Sequence, residues 1–215
     1  MIIGITNLKG GVGKSTLSQN LAVALVHKGY SVCILDTDIE QRSTTKWASI
    51  RDGRDDETPH IPVSSIEGDQ VAKMSEHSAK LYDFVLIDGS PQLSKTATKT
   101  LLISDIVLVP VTPSGLDIWS FESFFLRLEE VRTVKPSLNA YAVLNRYKGN
   151  NLDKEVIEVV ENFGISVLEA KMGDRIAYRE APIAGLGVVE YKDPKAQNEI
   201  QNLVTEIENI IKSLN

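Results

Sequence analysis

Five short apolar runs recur along the chain: IIGIT (2–6), SVCILD (31–36), FVLID (84–88), DIVLVPV (105–111) and NAYAVLN (139–145). Runs so rich in Val and Ile read as strands covered on both faces. The stretches between and after them, 15–28, 67–80, 93–103, 116–134 and 151–163, read as helices. Strand and helix in alternation require parallel strands joined by crossover helices. The sequence therefore predicts an α/β fold, a doubly wound, mostly parallel sheet with helices on both faces, in a single domain over 1–215. At 215 residues and 42% hydrophobic, the chain can fill such a core. Ligands of such sheets bind beyond the carboxyl ends of the strands, so the residues just after each run carry the functional reading.

Several classes fall away. No stretch approaches the roughly 20 apolar residues of a membrane span. The leading MIIGITNLKGG has no basic region before its apolar residues, as a signal peptide would. Cys33 is alone and sits inside an apolar run, which reads as packing. A cytoplasmic location is expected. A net charge of −6 argues against a uniformly basic nucleic-acid-binding body but leaves room for a local basic patch. The last segment reads as a helix after Pro194, with Ile200, Leu203, Val204, Ile207, Ile210, Ile211 and Leu214 in one stripe packed on the sheet. From Gln197 onward its charges are Glu199, Glu206 and Glu208 against Lys212 alone, unlike a membrane-surface helix.

Between strand 2–6 and helix 15–28 lies NLKGGVGKST. A phosphate-binding loop, G-x-x-x-x-G-K-[ST], needs this strand–loop–helix setting. Gly10, Gly11 and Gly13 let backbone N–H groups, Val12 among them, turn toward phosphate oxygens. Lys14 would reach the β- and γ-phosphates, Ser15 would ligate Mg²⁺, and Thr16 is available to the α-phosphate. Leu8 stands where the pattern has its first glycine, and Lys9 adds a second cation. Three aspartates end two of the strands: Asp36 and Asp38 in LDTDIEQ, and Asp88 in FVLIDGSP. Carboxylates beside phosphates need Mg²⁺, water or cations to face. FVLID has the form of a Walker B strand whose aspartate holds Mg²⁺ through water.

KGGVGKST (9–16) resembles the deviant Walker A motif of the ParA/MinD family of P-loop ATPases. The likeness runs through TDIEQRSTTKW (37–47), VPVTPSGLDIW (109–119) and DRIAYREAPIAGLGVVEYKDPKAQNEI (174–200), where it is nearest the small ParF-like plasmid partition proteins. It implies that Lys9 crosses a dimer interface to the partner's nucleotide, and that Asp38 positions the attacking water. Asp36 would support the metal's water shell. The family's second acidic motif is usually D-x-D-P-Q; here Ile39-Glu40 intervenes and no proline follows Asp38. Asn145 matches a position placed against adenine in relatives, although an Asn before Arg146 equally suits a turn. Arg179, with Arg175 and Lys171 nearby, matches a non-specific DNA contact, although Glu169, Asp174 and Glu180 also fit an ordinary solvated surface.

The implied activity is hydrolysis of ATP to ADP and phosphate, weak without a partner. Mg²⁺–ATP would drive a homodimer that binds DNA non-specifically. A centromere-binding adaptor of ParB or ParG type would stimulate release, giving DNA segregation, with a plasmid as cargo and a nucleoid-associated location. Of the rivals, a MinD-like membrane ATPase lacks its basic tail, and an iron–sulfur carrier lacks paired cysteines. A small-molecule enzyme of the dethiobiotin-synthetase type stays open.

Overall fold

A computed structural model describes residues 1–68, 70–91, 95–113 and 118–214. Along the chain come β1 (Ile2–Ile5), α1 (Lys14–His27), β2 (Val32–Asp36), α2 (Ser43–Asp52), β3 (Val63–Ser65), α3 (Gln70–Ser78), β4 (Phe84–Asp88), α4 (Lys95–Ile103) and β5 (Ile106–Val111). Then follow α5 (Ile118–Val134), β6 (Asn139–Tyr147), α6 (Asn151–Asn162), β7 (Ser166–Val167), β8 (Met172–Gly173), α7 (Ala177–Ile183), a 3₁₀ turn at Val188–Glu190, and α8 (Pro194–Leu214). The middle of VPVTPSGLDIW and the start of the expected helix 93–103 lie outside the described residues.

The sheet order is β3-β2-β4-β1-β5-β6-β7, with β8 pairing β6, and every pair is parallel. All residues of β1, β2, β4 and β5 are buried, as the unbroken apolar runs require. Alternate residues of one strand feed opposite cores. Ile34, Leu86, Ile106 and Leu108 pack with α1, α7 and α8, whereas Cys33, Leu35, Val85 and Ile87 pack with Val71 of α3 on the other face. On that face β5 and β6 meet Phe121, Phe124, Leu128 and Val131 of α5, and Val156 and Val160 of α6. Burial pushes the Cys33 thiol up to about 11, as an inert packing residue should be.

Helix α8 buries Ile200, Leu203, Val204 and Ile207, with Ile210 and Ile211 partly covered and Leu214 exposed. It packs on α1, the 3₁₀ turn and strand β8, in one core with the sheet residues Ile34, Leu86 and Leu108, as its apolar stripe predicts. Among the described residues no helix is long and apolar enough to cross a membrane.

Besides the two-residue strands β7 and β8 and the 3₁₀ turn, three elements lie outside the sequence expectation. Helix α2 buries only Thr44, Trp47, Ala48 and Arg51, too few apolar positions to show a stripe. Edge strand β3 is three residues long with none fully buried. Helix α7 is seven residues long and contains Pro182. This topology places the loop after β1 between β4 and β5, with the carboxyl ends of β2 and β4 beside it.

Candidate active site

The loop after β1 is anchored before it turns. Asn7 Nδ2 donates to the Pro110 carbonyl at 2.9 Å, and Asn7 Oδ1 accepts from the Lys9 N–H at 3.0 Å. Leu8 packs against the cluster formed by β5, β6, α5 and α6. The usual first glycine is thus replaced by an apolar anchor. Gly13 has a φ of 98°, and a Cβ there would stand 2.1 Å from Asn145 Nδ2, so both backbone and space demand glycine. Helix α1 begins with no side-chain cap and no acid in its first turn. Its unpaired N–H groups and positive dipole end are therefore available to phosphate.

Lys14 is 7% exposed and donates from Nζ to the Lys9 carbonyl at 2.8 Å. Burial pulls its ammonium down to about 8, against the raising influence of Asp88 and Asp38. Lys9 contributes to the loop through its backbone alone; it is half-buried and its ammonium makes no ion pair among the described residues.

Asp36 and Asp88 are register partners at the ends of β2 and β4. Asp36 Oδ1 accepts from the Asp38 N–H at 3.1 Å, and its Oδ2 accepts from Thr45 N–H and Oγ1 at 2.9 and 2.8 Å. Asp88 Oδ2 accepts from Thr44 Oγ1 at 2.6 Å, while its buried Oδ1 has no hydrogen bond. Burial pushes the Asp88 carboxyl up to about 6; the Thr44 bond opposes this, Asp36 reinforces it, and the nearby Ser15 hydroxyl and Lys14 charge also oppose it. An orphaned, buried carboxylate oxygen facing a phosphate loop suits a hydrated cation. Ser15 and Asp88 therefore fit Mg²⁺, with Asp36 held behind them by Thr45. Among the described residues no His, Cys, Asp or Glu cluster could hold a metal by protein ligands alone.

Asp38 closes its own turn: Oδ1 accepts from the Gln41 N–H at 3.0 Å, and the Asp38 carbonyl accepts from the Arg42 N–H at 2.8 Å. Arg42, at φ 49°, takes the left-handed conformation that closes this turn ahead of α2. Gly89, directly after Asp88, has a steric reason, since a Cβ there would stand 2.9 Å from the Ile5 carbonyl oxygen.

A cleft of about 440 Å³ joins these parts. Gly10, Gly11, Gly13, Lys14, Ser15 and Thr16 line one end, Asp38 one wall, and Asn145, Arg146, Asp174, Arg175 and Arg179 the far side. Asn145 is 5% exposed; its Nδ2 donates to the Val12 carbonyl at 2.8 Å and its Oδ1 accepts from the Arg146 N–H at 2.9 Å. Its amide thus braces the phosphate loop. Arg175 is bound to Glu199, with contacts of 2.8 Å from Nε and 2.6 Å from the terminal guanidinium. Arg179 is 62% exposed at the rim, 3.6 Å from Asp174. Lys171 lies over the Tyr147 ring. Sequence alone assigned no site role to Thr44, Thr45, Glu199 or Arg146. The cluster Ser43-Thr44-Thr45, a helix-start composition, was a signal for two of them.

A phosphate loop after β1, a Walker B aspartate and a flanking second acid define a P-loop nucleotide hydrolase. Residues 3–188 match the CobQ/CobB/MinD/ParA nucleotide binding domain, and the chain belongs to that family. It is a ParA/MinD-type ATPase, with ATP and Mg²⁺ as cofactors. The chain is 29% identical to maintenance of carboxysome distribution protein A of Halothiobacillus neapolitanus, over 95% of both chains. It is 27% identical to the chromosome-partitioning ATPase Soj of Thermus thermophilus, over 88% of this chain and 87% of that one. The fold superimposes on the septum site-determining protein MinD of Pyrococcus horikoshii, complexed with Mg-ADP, with a TM-score of 0.74 at 21% identity, covering 100% and 98% of the two chains. The family forms ATP-dependent dimers and interacts with partner proteins.

Proposed function

We propose that this ATPase segregates DNA: Mg²⁺–ATP closes a sandwich dimer that holds DNA without sequence preference, and a centromere-binding adaptor triggers hydrolysis and release. The cargo in this reading is a plasmid. The observation that carries it is the exposed Arg179 at the rim of the nucleotide cleft, loosely paired and beside the half-exposed Lys148. Two facing clefts would present this rim twice, so DNA affinity would follow the nucleotide state. Arg175, tied to Glu199, shapes the same wall.

In this reading Lys14 and the α1 N–H groups hold the phosphates, and Ser15 and Asp88 hold Mg²⁺. Mg²⁺ would neutralise charge on the transferring phosphoryl group. Asp38 orients water through the oxygen not used by Gln41. Because Asp38 also shapes its own turn, Asp38→Asn is a cleaner test than Asp38→Ala: the amide oxygen can still accept from Gln41. ATP binding should stay within about threefold, and single-turnover hydrolysis should fall by about 10²–10⁴. Hydrolysis at the parent rate would make Asp38 a turn-former only.

The DNA contact is tested with Arg179→Ala. Affinity should fall across unrelated duplexes, and the slope of log K against log salt should lessen by about two, one phosphate contact per subunit. ATP-dependent dimerisation should persist. An isotherm unchanged at several salt concentrations would reduce Arg179 to surface charge.

A protein cargo is the second reading, favoured by the full-length likeness to the carboxysome distribution protein. Plasmid retention over unselected generations separates the two. A plasmid carrying the Lys14→Ala form should be lost if plasmid is the cargo, and retained if it is not.

A further inference from the structure

We propose that Thr44 is a positioning residue for Mg²⁺: its hydroxyl fixes the Asp88 carboxylate so that Oδ1 is the oxygen offered to the metal's water shell. The inference rests on the assignment of Asp88 to the metal and adds what aims that carboxylate.

Thr44 is fully buried in the first turn of α2. A hydroxyl carries a single hydrogen. Gln19 Nε2 lies 3.2 Å from Thr44 Oγ1 and can only donate, so Thr44 accepts there. Its own hydrogen then goes to Asp88 Oδ2 at 2.6 Å. The opposite Gln19 amide orientation would ask Thr44 to donate twice, which it cannot do. Gln19, Thr44 and Asp88 therefore form a chain with one direction, ending on one oxygen. The other, Oδ1, is buried and unpartnered. A carboxylate free to rotate would exchange the two oxygens; this one is held.

The chain also links the elements that must act together. Gln19 stands four residues after Ser15 on α1, so both side chains fall on the same face of the helix. That face offers Ser15 toward the metal and Gln19 toward Thr44. The neighbouring Thr45 grips Asp36 through both its N–H and its hydroxyl. The start of α2, directly after the Asp38 turn, thus holds both strand-end acids. A threonine kept only for stability would affect unfolding and leave the metal dependence of nucleotide binding alone.

The test measures fluorescent mant-ADP binding to the full chain across a Mg²⁺ titration, and again in EDTA. Thr44→Val keeps shape and removes the hydroxyl, Thr44→Ser keeps the hydroxyl, and Asp88→Asn serves as the reference. Thr44→Val should raise the half-saturating Mg²⁺ by about 10–100-fold, the usual effect of losing an outer-shell partner. Its metal-free ADP affinity should stay within about twofold, and Thr44→Ser should recover the parent titration to within about threefold. If Thr44→Val keeps the parent titration while Asp88→Asn shifts it, Thr44 is structural and the inference fails. If Asp88→Asn leaves the titration unshifted, the metal assignment beneath it fails instead. Should Thr44→Val not fold, Thr44→Ala, which cannot clash, gives the same readout.

Discussion

Replacing Lys14 with methionine is expected to abolish ATP binding and, in the same variant, to stabilise the nucleotide-free protein. The first effect follows from removing the buried cation that faces the β- and γ-phosphates. Breaking one side of such a pair costs about 3–5 kcal/mol, or roughly 10²–10⁴ in affinity. The second effect follows from where Lys14 stands without nucleotide. Its ammonium is buried and, among the described residues, its one hydrogen-bond partner is the Lys9 carbonyl. Burial lowers it from 10.5 to about 8, equivalent to about 3 kcal/mol against the charged form. Methionine keeps the stem and drops the charge, so the apo melting temperature should rise by several degrees, at about 2–4 °C per kcal/mol. The pH dependence has a definite sign. The folded value lies below the unfolded one, so between pH 8 and 10.5 the unfolded chain holds more protons. Parent stability relative to Lys14→Met should therefore climb through that window, with the full deficit present below pH 8. Thermal melts across pH, with and without Mg²⁺–ATP, check both effects. Parent-like ATP affinity in Lys14→Met would overturn the phosphate-loop assignment.

The same contrast between local and distant determinants decides what the sequence reveals. The central strands were legible because a strand buried on both faces must be apolar throughout, and β1, β2, β4 and β5 are. The phosphate loop was legible because each residue answers a local demand, as Gly13 does at a φ of 98°. Strands β7 and β8, each of two residues, carry no periodicity to detect. The holders of the acids were hidden for another reason. Gln19 meets Thr44 across 25 residues, and Thr44 meets Asp88 across 44, contacts that exist only once α1, α2 and β4 are stacked. Arg51 is similar. Its buried guanidinium meets Glu190 across 139 residues and reads in sequence as one more surface charge. Asn145 shows the limit of likeness by position. It was expected against adenine or in a turn; its grip on the Val12 carbonyl depends on how close β6 approaches Gly13.

Lys9→Ala is expected to bind ATP as a monomer and to fail as a dimer. Within one subunit Lys9 acts through its backbone: its N–H meets Asn7 and its carbonyl receives Lys14. Alanine keeps both, so the loop and its hold on phosphate should survive, with ATP affinity within about threefold of the parent by the usual size of neutral surface changes. The ammonium has no ion pair among the described residues, which leaves it available to a second subunit. Two nucleotides brought face to face concentrate negative charge where little water remains to screen it. A charge-assisted hydrogen bond is worth about 1.5–3 kcal/mol. Two-fold symmetry doubles it to about 3–6 kcal/mol per dimer, so dimerisation should weaken by at least about 100-fold. Sedimentation with ATP and Mg²⁺ measures this, in an Asp38→Asn background that prevents turnover. DNA binding and adaptor-stimulated hydrolysis should fall in step with the dimer. If Lys9→Ala combined with Asp38→Asn dimerises as tightly as Asp38→Asn alone, Lys9 acts in cis or not at all. The pairing of Leu8 as anchor with Lys9 as second cation would then need a reason other than a two-subunit site.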